Sequence, residues 1–369
     1  MQVIHQVYCR YCKRVLEGWV EGEPQSHPDC RELVEGYTCP IDLPVLEQLV
    51  EYMFEGRTIE ELGRSRVKYK EEEGKVKELL IDGFNEVKTP ELPVGIGLLT
   101  NLEKLELAHI ELGVSMEKIG LLTSLRKLGL RSCKVTTIPE SFGNLHKLRK
   151  LYLSHNQLTS FPESITRLPN LILLDLRNNQ LVSVPENISR LPNLQYLSLW
   201  HNKLTSIPKS LVKLTKLKEI SLGRNELATL PDHFEFPPNL QALNLESNNL
   251  KTFPRFQLPN LRNLKLANNN LTSIPESITW MINLLYLDMN NNQLTKIPES
   301  ICQLTSLRLL FLRGNQLTTL PKCFRSLTNL SELDLRENPI VSLGLEEARN
   351  HTSGWFPYKE GVQSLIDKL

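Results

Sequence analysis

A 23-residue pattern that starts at Leu102 constrains this chain more than any other feature. Its frame is Leu-x-x-Leu-x-Leu-x-x-Asn-x-Leu followed by x-x-Ile-Pro. It reads cleanly at Leu148/Leu151/Leu153/Asn156/Leu158 and again at Leu171/Leu174/Leu176/Asn179/Leu181. The same frame returns at Leu194, Leu217, Leu240, Leu261, Leu284, Leu307 and Leu330. A period of this length means stacked coils, each too small to bury its own apolar face.

The segment x-Leu-x-Leu-x has period two, so its leucines face one side and the intervening residues the other. Strands stacked about 4.8 Å apart then form a parallel sheet whose leucines merge into one core. The Asn that follows ends the strand, and its amide can both donate to and accept from turn backbone groups. Asn156, Asn179, Asn202, Asn225, Asn248, Asn269, Asn292, Asn315 and Asn338 are expected to stack as a ladder. On the return path Pro162, Pro185, Pro208, Pro275 and Pro298 open short segments such as Glu163–Leu168. Ile165 and Leu168 stand at i and i+3 there, which predicts one or two helical turns facing the core.

Departures from the frame delimit the array. Ile110 and Cys133 occupy the Asn position of the first two full repeats, and Phe84 stands near it in a weak repeat opened by Val76 and Leu79. The repeat holding Pro254–Pro259 is 21 residues long, and Phe236-Pro237-Pro238 cannot form a helical return. Beyond Pro339 the frame breaks, and Val362, Leu365, Ile366 and Leu369 have helical spacing, which predicts a cap over the last coil. The expected organisation is a zinc-binding module over 1–40, a helical cap and connector over 41–75, the array over 76–340 and a C-terminal cap over 341–369. Within 41–75 the pattern predicts helices at Leu43–Phe54 and Thr58–Leu62, with Lys68–Lys77 as a solvated connector.

Repeated with so little drift, the frame resembles the intracellular 23-residue leucine-rich-repeat proteins, and is similar to the Ras-suppressor and plant intracellular Ras-group types. The resemblance covers residues 76–340. It implies an α/β leucine-rich-repeat solenoid, with a curved parallel sheet on the concave side and short helices or turns on the convex side. It also implies a non-enzymatic scaffold, with a small GTPase as a partner class. The shared residues are structural and do not identify the partner.

The N-terminal segment carries Cys9-x2-Cys12 and His27-x2-Cys30. Two close pairs, each from a turn, form the closed tetrahedral set that a structural Zn2+ needs. His27-x2-Cys30 resembles half of a LIM or treble-clef module, although the spacer is short and no second quartet follows. Cys39 could replace one ligand. Unliganded thiols are the plain alternative, and a thioredoxin-like role lacks its βαβ context. Four protein ligands leave no open position, so a catalytic zinc is not expected.

Net charge is +1, with 43 Lys and Arg against 42 Asp and Glu, so the chain lacks the field of a general nucleic-acid binder. No stretch has the length of a membrane span, and the N-terminus lacks an apolar signal region. With seven cysteines and Cys133, Cys302 and Cys323 placed inside repeats as small buried side chains, the reading is a reducing, cytoplasmic compartment. Asn187, Asn270, Asn329 and Asn350 begin Asn-x-Ser/Thr triplets, which this reading treats as chance matches.

The residues between the strand leucines should face the concave surface. Arg126, Lys127, Arg131, Arg149 and Lys150 predict a basic patch. Tyr152, Leu173, Tyr196 and Trp200 fall on three consecutive coils with Arg177 and His201 beside them. Tyr286, Leu309, Phe311 and Arg313 form a second group. Aromatic residues with arginine are typical of interface hot spots, whereas scattered surface aromatics would need no explanation. His109, His155 and His201 lie two coils apart, too far to share a metal. No phosphate loop, dinucleotide fingerprint, H-E-x-x-H or nucleophile elbow occurs, so no enzyme is expected. The reading is a monomeric scaffold that binds a protein on its concave face, with neither membrane nor nucleic acid as partner. The alternative is an adaptor whose zinc module recruits a second macromolecule, in a ubiquitin-type or nucleic-acid assembly.

Overall fold

A computed structural model describes residues 7–9, 14–16, 42–54, 57, 62, 66–84, 90–230, 234–252, 257–340 and 355–356. The chain forms two compact units, Met1–Cys133 and Lys134–Leu369.

In the first unit β1 (Val7–Cys9) and β2 (Arg14–Leu16) pair antiparallel. The helix expected from the spacing of Leu46, Leu49, Val50 and Met53 forms as α1 (Asp42–Met53), and those four side chains are buried. Most of the second expected helix, Thr58 to Leu62, lies outside the described residues, with only Leu62 helical. The solvated connector is corrected. Lys68–Lys77 belongs to a hairpin of β3 (Val67–Glu72) and β4 (Lys75–Asp82). Glu73 and Gly74 turn the chain with φ of 53° and 75°, the left-handed pair that joins two-residue hairpins. The many charges concealed the strands because β3 buries only Val67, while β4 turns Val76, Leu79 and Ile81 inward. Parallel to β4 run β5 (Lys104–Ala108) and β6 (Lys127–Arg131), with α2 (Ser115–Ile119) on the return path between them. Phe84 is exposed and packs on His109, with ring centroids 4.9 Å apart.

The second unit is the regular part of the array. Its strands are β7 (Lys150–Tyr152), β8 (Leu173–Asp175), β9 (Tyr196–Ser198), β10 (Glu219–Ser221) and β11 (Ala242–Asn244). They continue as β12 (Asn263–Lys265), β13 (Tyr286–Asp288), β14 (Leu309–Phe311) and β15 (Glu332–Asp334). Each pairs in parallel with the next, residue for residue along the repeat. The middle leucines (Leu151, Leu174, Leu197, Leu243) are at most 2% exposed. A last strand, β16 (Trp355–Phe356), pairs antiparallel with β15 and covers that edge. The expected helix at 361–369 lies outside the described residues.

The asparagine ladder forms as the repeat predicts. Asn179 donates its amide to the carbonyls of Leu153 (2.9 Å) and Leu176 (3.0 Å), and its Oδ1 accepts from Leu158 N–H (3.0 Å). One side chain thus satisfies backbone groups of two coils in the core, where an unpaired group is costly. The return segments are five-residue 3-10 turns, such as Glu163–Arg167 and Lys209–Lys213, each entered from a proline in extended conformation. Three residues per turn keeps positions i and i+3 aligned, which is the spacing of buried Ile165 and Leu168. At Phe236-Pro237-Pro238 no such turn forms; buried Phe234 and Phe236 pack edge to face at 4.8 Å instead. The 21-residue repeat leaves the sheet intact. Ala242 still pairs with Asn263, and Leu250 N–H reaches Asn269 Oδ1 across 19 residues where other coils span 21.

Candidate functional site

Within the second unit the strand positions between the leucines are half-buried or exposed, as a one-sided sheet requires, except for Asp175 and Asp334, which are buried. Leu173 pairs with Lys150 on one side and Tyr196 on the other, while Tyr152, Asp175 and Ser198 share the next row. Leu173, Tyr152, Tyr196 and Trp200 are all half-buried, so none of these side chains has turned into the core.

Trp200 stands just past β9, and the backbone beneath it makes room. A Cβ on Gly223 would come within 2.9 Å of Trp200 Cδ1, so only glycine lets the indole lie this close to the next coil. Arg224 covers the ring, with Cζ 5.0 Å from its centroid, and His201 packs edge-on at 5.2 Å. The indole is thus held between a glycine shelf and a guanidinium, a cation–π contact that fixes its orientation. His201 Nδ1 lies 2.6 Å from Asn178 Oδ1, and the Asn178 amide lies 3.2 Å from His155 Nε2. His155 and His201, two coils apart, are joined through Asn178 on the coil between them.

Arg177 is tied to Asp175 at 2.9 Å, and Asp175 is buried although it belongs to the open face. Burial pushes the Asp175 carboxyl above the usual aspartate range, against the pull of Arg177.

The expected basic patch divides between the two units. Lys127 meets Glu106 at 2.5 Å, and Arg126 meets Glu103 at 3.2 Å, so much of the first unit's share is neutralised locally. Burial acts to raise the Glu106 carboxyl, but Lys127 and Lys104 hold it below the usual range. Arg131 is exposed at the end of β6. Arg149 and Lys150 are exposed in the second unit.

In the second aromatic group Tyr286 and Phe311 lie 5.4 Å apart, with Lys265 5.8 Å from the Tyr286 ring. Leu309 pairs with Tyr286 on the next strand. Tyr286 donates to Asp288 at 3.3 Å. Burial, and then the Glu246 charge among others, keeps the Asp288 carboxyl protonated to higher pH than a free aspartate. Arg313 is bound to Glu337 at 2.5 Å.

Cys302 and Cys323 correct the expectation of reduced thiols inside the repeats. They form a disulfide that links neighbouring 3-10 turns, with Cα atoms 5.8 Å apart. Spacing concealed it, because 21 residues in sequence becomes one coil in space. Glu299 lies beside this pair, but sulfurs bonded to each other present no thiolate to a metal. Cys133 is buried, and burial pushes its thiol up to about 11. Of the expected zinc ligands, Cys12, His27 and Cys30 lie outside the described residues; Cys9 ends β1.

Reading strand registers from sequence could find Leu173, Tyr196 and Trp200, but not the contributions of Gly223, Arg224 and Asn178. The signal was present: Gly223 stands one full repeat after Trp200, where every other coil of the second unit carries a side chain.

Family models match two stretches of the chain: one described as a leucine-rich repeat region, over residues 111–229, and one described as leucine rich repeat, over residues 259–317 and 302–340. A comparison with curated proteins finds no match. Among solved structures, an internalin (inlF) from Listeria monocytogenes aligns over 80% of this chain and 90% of its own, at 23% identity and a TM-score of 0.54. The plant peptide hormone receptor RGFR1, solved in complex with RGF2, aligns over 70% of this chain and 50% of its own, at 29% identity and a TM-score of 0.53. The Drosophila Toll–Spatzle complex aligns over 68% of this chain and 38% of its own, at 26% identity and a TM-score of 0.56.

Proposed function

Because this chain belongs to the leucine-rich-repeat superfamily, whose members act as protein-interaction scaffolds, we propose that it binds a protein partner on the open face of β7–β10. The observation that supports this reading is the Trp200 shelf. The core has no use for an indole outside the leucine rows, yet Gly223 yields space to it and Arg224 covers it. A large ring held in one orientation loses little entropy on binding, which is why tryptophan with arginine carries so much of the energy of interfaces. Tyr152, Leu173 and Tyr196 extend the same surface across three strands. RGFR1 and Toll were both solved with partners bound, which agrees with a binding role for the architecture. A small GTPase is one candidate partner.

The face is open and its ionisable groups are mutually paired or separate, so binding without chemistry is the reading. The test is capture of partners by the wild type against a Tyr152→Ala/Tyr196→Ala/Trp200→Ala variant of unchanged thermal stability. Equal capture by both proteins defeats the assignment.

We also propose that Cys9, Cys12, His27 and Cys30 hold one structural Zn2+. The support is in the sequence: Cys9-x2-Cys12 and His27-x2-Cys30 are two close pairs of the kind a closed tetrahedral Zn2+ site requires. Zinc content of the purified chain should be one ion, and a Cys9→Ser/Cys12→Ser variant should lose it. An unchanged metal content in that variant removes the proposal.

A further inference from the structure

Charge is unevenly spread over the open face of the second unit. The coils of β7–β10 carry five cations at their strand segments (Arg149, Lys150, Arg177, Lys218, Arg224) against two carboxylates, Asp175 and Glu219. The coils of β11–β15 carry equal numbers of each sign. Only Arg177 of the five is bound in an ion pair; Arg149, Lys150, Lys218 and Arg224 form none among the described residues. The aromatic shelf therefore lies in a cationic field that the fold itself does not neutralise.

A cavity adjoins this face. It opens at the strand-entry edge, has a volume of about 440 Å³, and is lined by Gln195, Gln241, Asn239 and Asn260 with Lys216 and Lys218. Lys216 donates to Asn193 Oδ1 at 2.7 Å, and among the described residues no carboxylate lines the space. It forms beside the coils where Pro237 and Pro238 prevent the 3-10 turn and the next repeat is two residues short. Neutral amides with two ammonium groups suit a carboxylate.

We infer that the face of β8–β10 docks an acidic, aromatic-bearing segment of a protein partner, with a carboxylate in the Lys216–Lys218 cavity and a ring against Trp200. This rests on the binding face proposed above and names the chemistry it selects. Gln195 borders the cavity and Trp200 ends the same strand segment, so the two subsites are about 17 Å apart in extended chain. A segment lying along β9 would carry its acidic and aromatic side chains about four or six residues apart, since only an even separation keeps both on one face of an extended chain.

The test is selection from a random peptide display library against the full chain, followed by affinity of the enriched peptides for variants. The expected result is peptides with Asp or Glu about four or six positions from an aromatic residue. Their affinity should fall about tenfold or more in Lys216→Glu/Lys218→Glu and in Trp200→Ala, and weaken with added salt. Both variants are checked by thermal melting, and Lys216→Gln/Lys218→Gln provides a milder form. Peptides that lose affinity in Trp200→Ala but carry no acidic bias overturn this inference and leave the binding face standing. Acidic peptides indifferent to both variants, or no enrichment at all, overturn it as well. Indifference to the triple alanine variant would remove the face too.

Discussion

The amide of Asn202 donates to the carbonyl of Leu176 in the preceding coil at 3.1 Å, while its Oδ1 accepts from the N–H of Leu181 at 3.0 Å. That bridge recurs along the second unit and ties each turn to the one before it. Replacing Asn202 by Ala leaves buried backbone groups on Leu181, Leu176 and Leu199 without this partner. A loss of about 2–4 kcal/mol is expected in denaturant unfolding. Asn202→Asp keeps the acceptor and loses the donor, so it should also be destabilised; wild-type stability in both variants would mean that water replaces the ladder.

Gly223→Ala places a methyl group 2.9 Å from Trp200 Cδ1, so the indole must swing off its shelf. The expected outcome is a folded protein with altered tryptophan fluorescence and partner affinity reduced about as far as in Trp200→Ala. Unaltered emission and binding would show that the shelf does not orient the ring. The chain contains four tryptophans, so the difference spectrum against Trp200→Ala isolates the signal.

The Cys302–Cys323 bond closes a loop of 21 residues in separation. Cross-linking such a loop restricts the unfolded chain by about 3 kcal/mol. Cys302→Ser/Cys323→Ser should melt earlier than the oxidised wild type, and reductant should lower the wild type toward the variant. Thiol counting under denaturing conditions checks the bond directly, since an oxidised preparation should show two fewer free thiols than its reduced form.

Asp288 binds its proton more tightly in the folded chain than the ordinary aspartate value of 3.8, chiefly through burial. Its contribution to stability is therefore fully present below 3.8 and is lost as pH rises toward the folded value. Asp288→Asn keeps an acceptor for the Asn290 N–H, which now bonds at 3.0 Å, and removes the charge. The variant should melt higher than wild type at neutral pH, and the gap should close in acid. A gap that is constant with pH would place the effect elsewhere.

Much of this architecture was legible because the repeat encodes it twice, in the leucine spacing and in the asparagine that follows. Pairing of Leu173 with Tyr196 follows from register alone. The β3–β4 hairpin was not legible, since its exposed strand is nearly all charge and only Val67 points inward. The pairing of Arg126 and Lys127 was not legible for a different reason. Charge was read along one sheet column, but Glu103 and Glu106 reach Arg126 and Lys127 from the neighbouring coil. The Trp200 shelf needed side-chain packing between coils, which spacing does not report. The disulfide likewise joins positions that differ within their repeats, Cys302 late in one turn and Cys323 early in the next.

Arg224 has φ of 51°, as do its counterparts His155, Asn178 and His201 at 58°, 53° and 56°. A β-carbon in this conformation costs about 1 kcal/mol relative to glycine. The coil of Phe311 does carry glycine there, at Gly314 with φ of 65°. A chain shaped only for thermal endurance would do the same at 224. Keeping a guanidinium instead forfeits some cohesion to dress one indole, so Arg224→Gly should yield a hardier protein that grips its target less well.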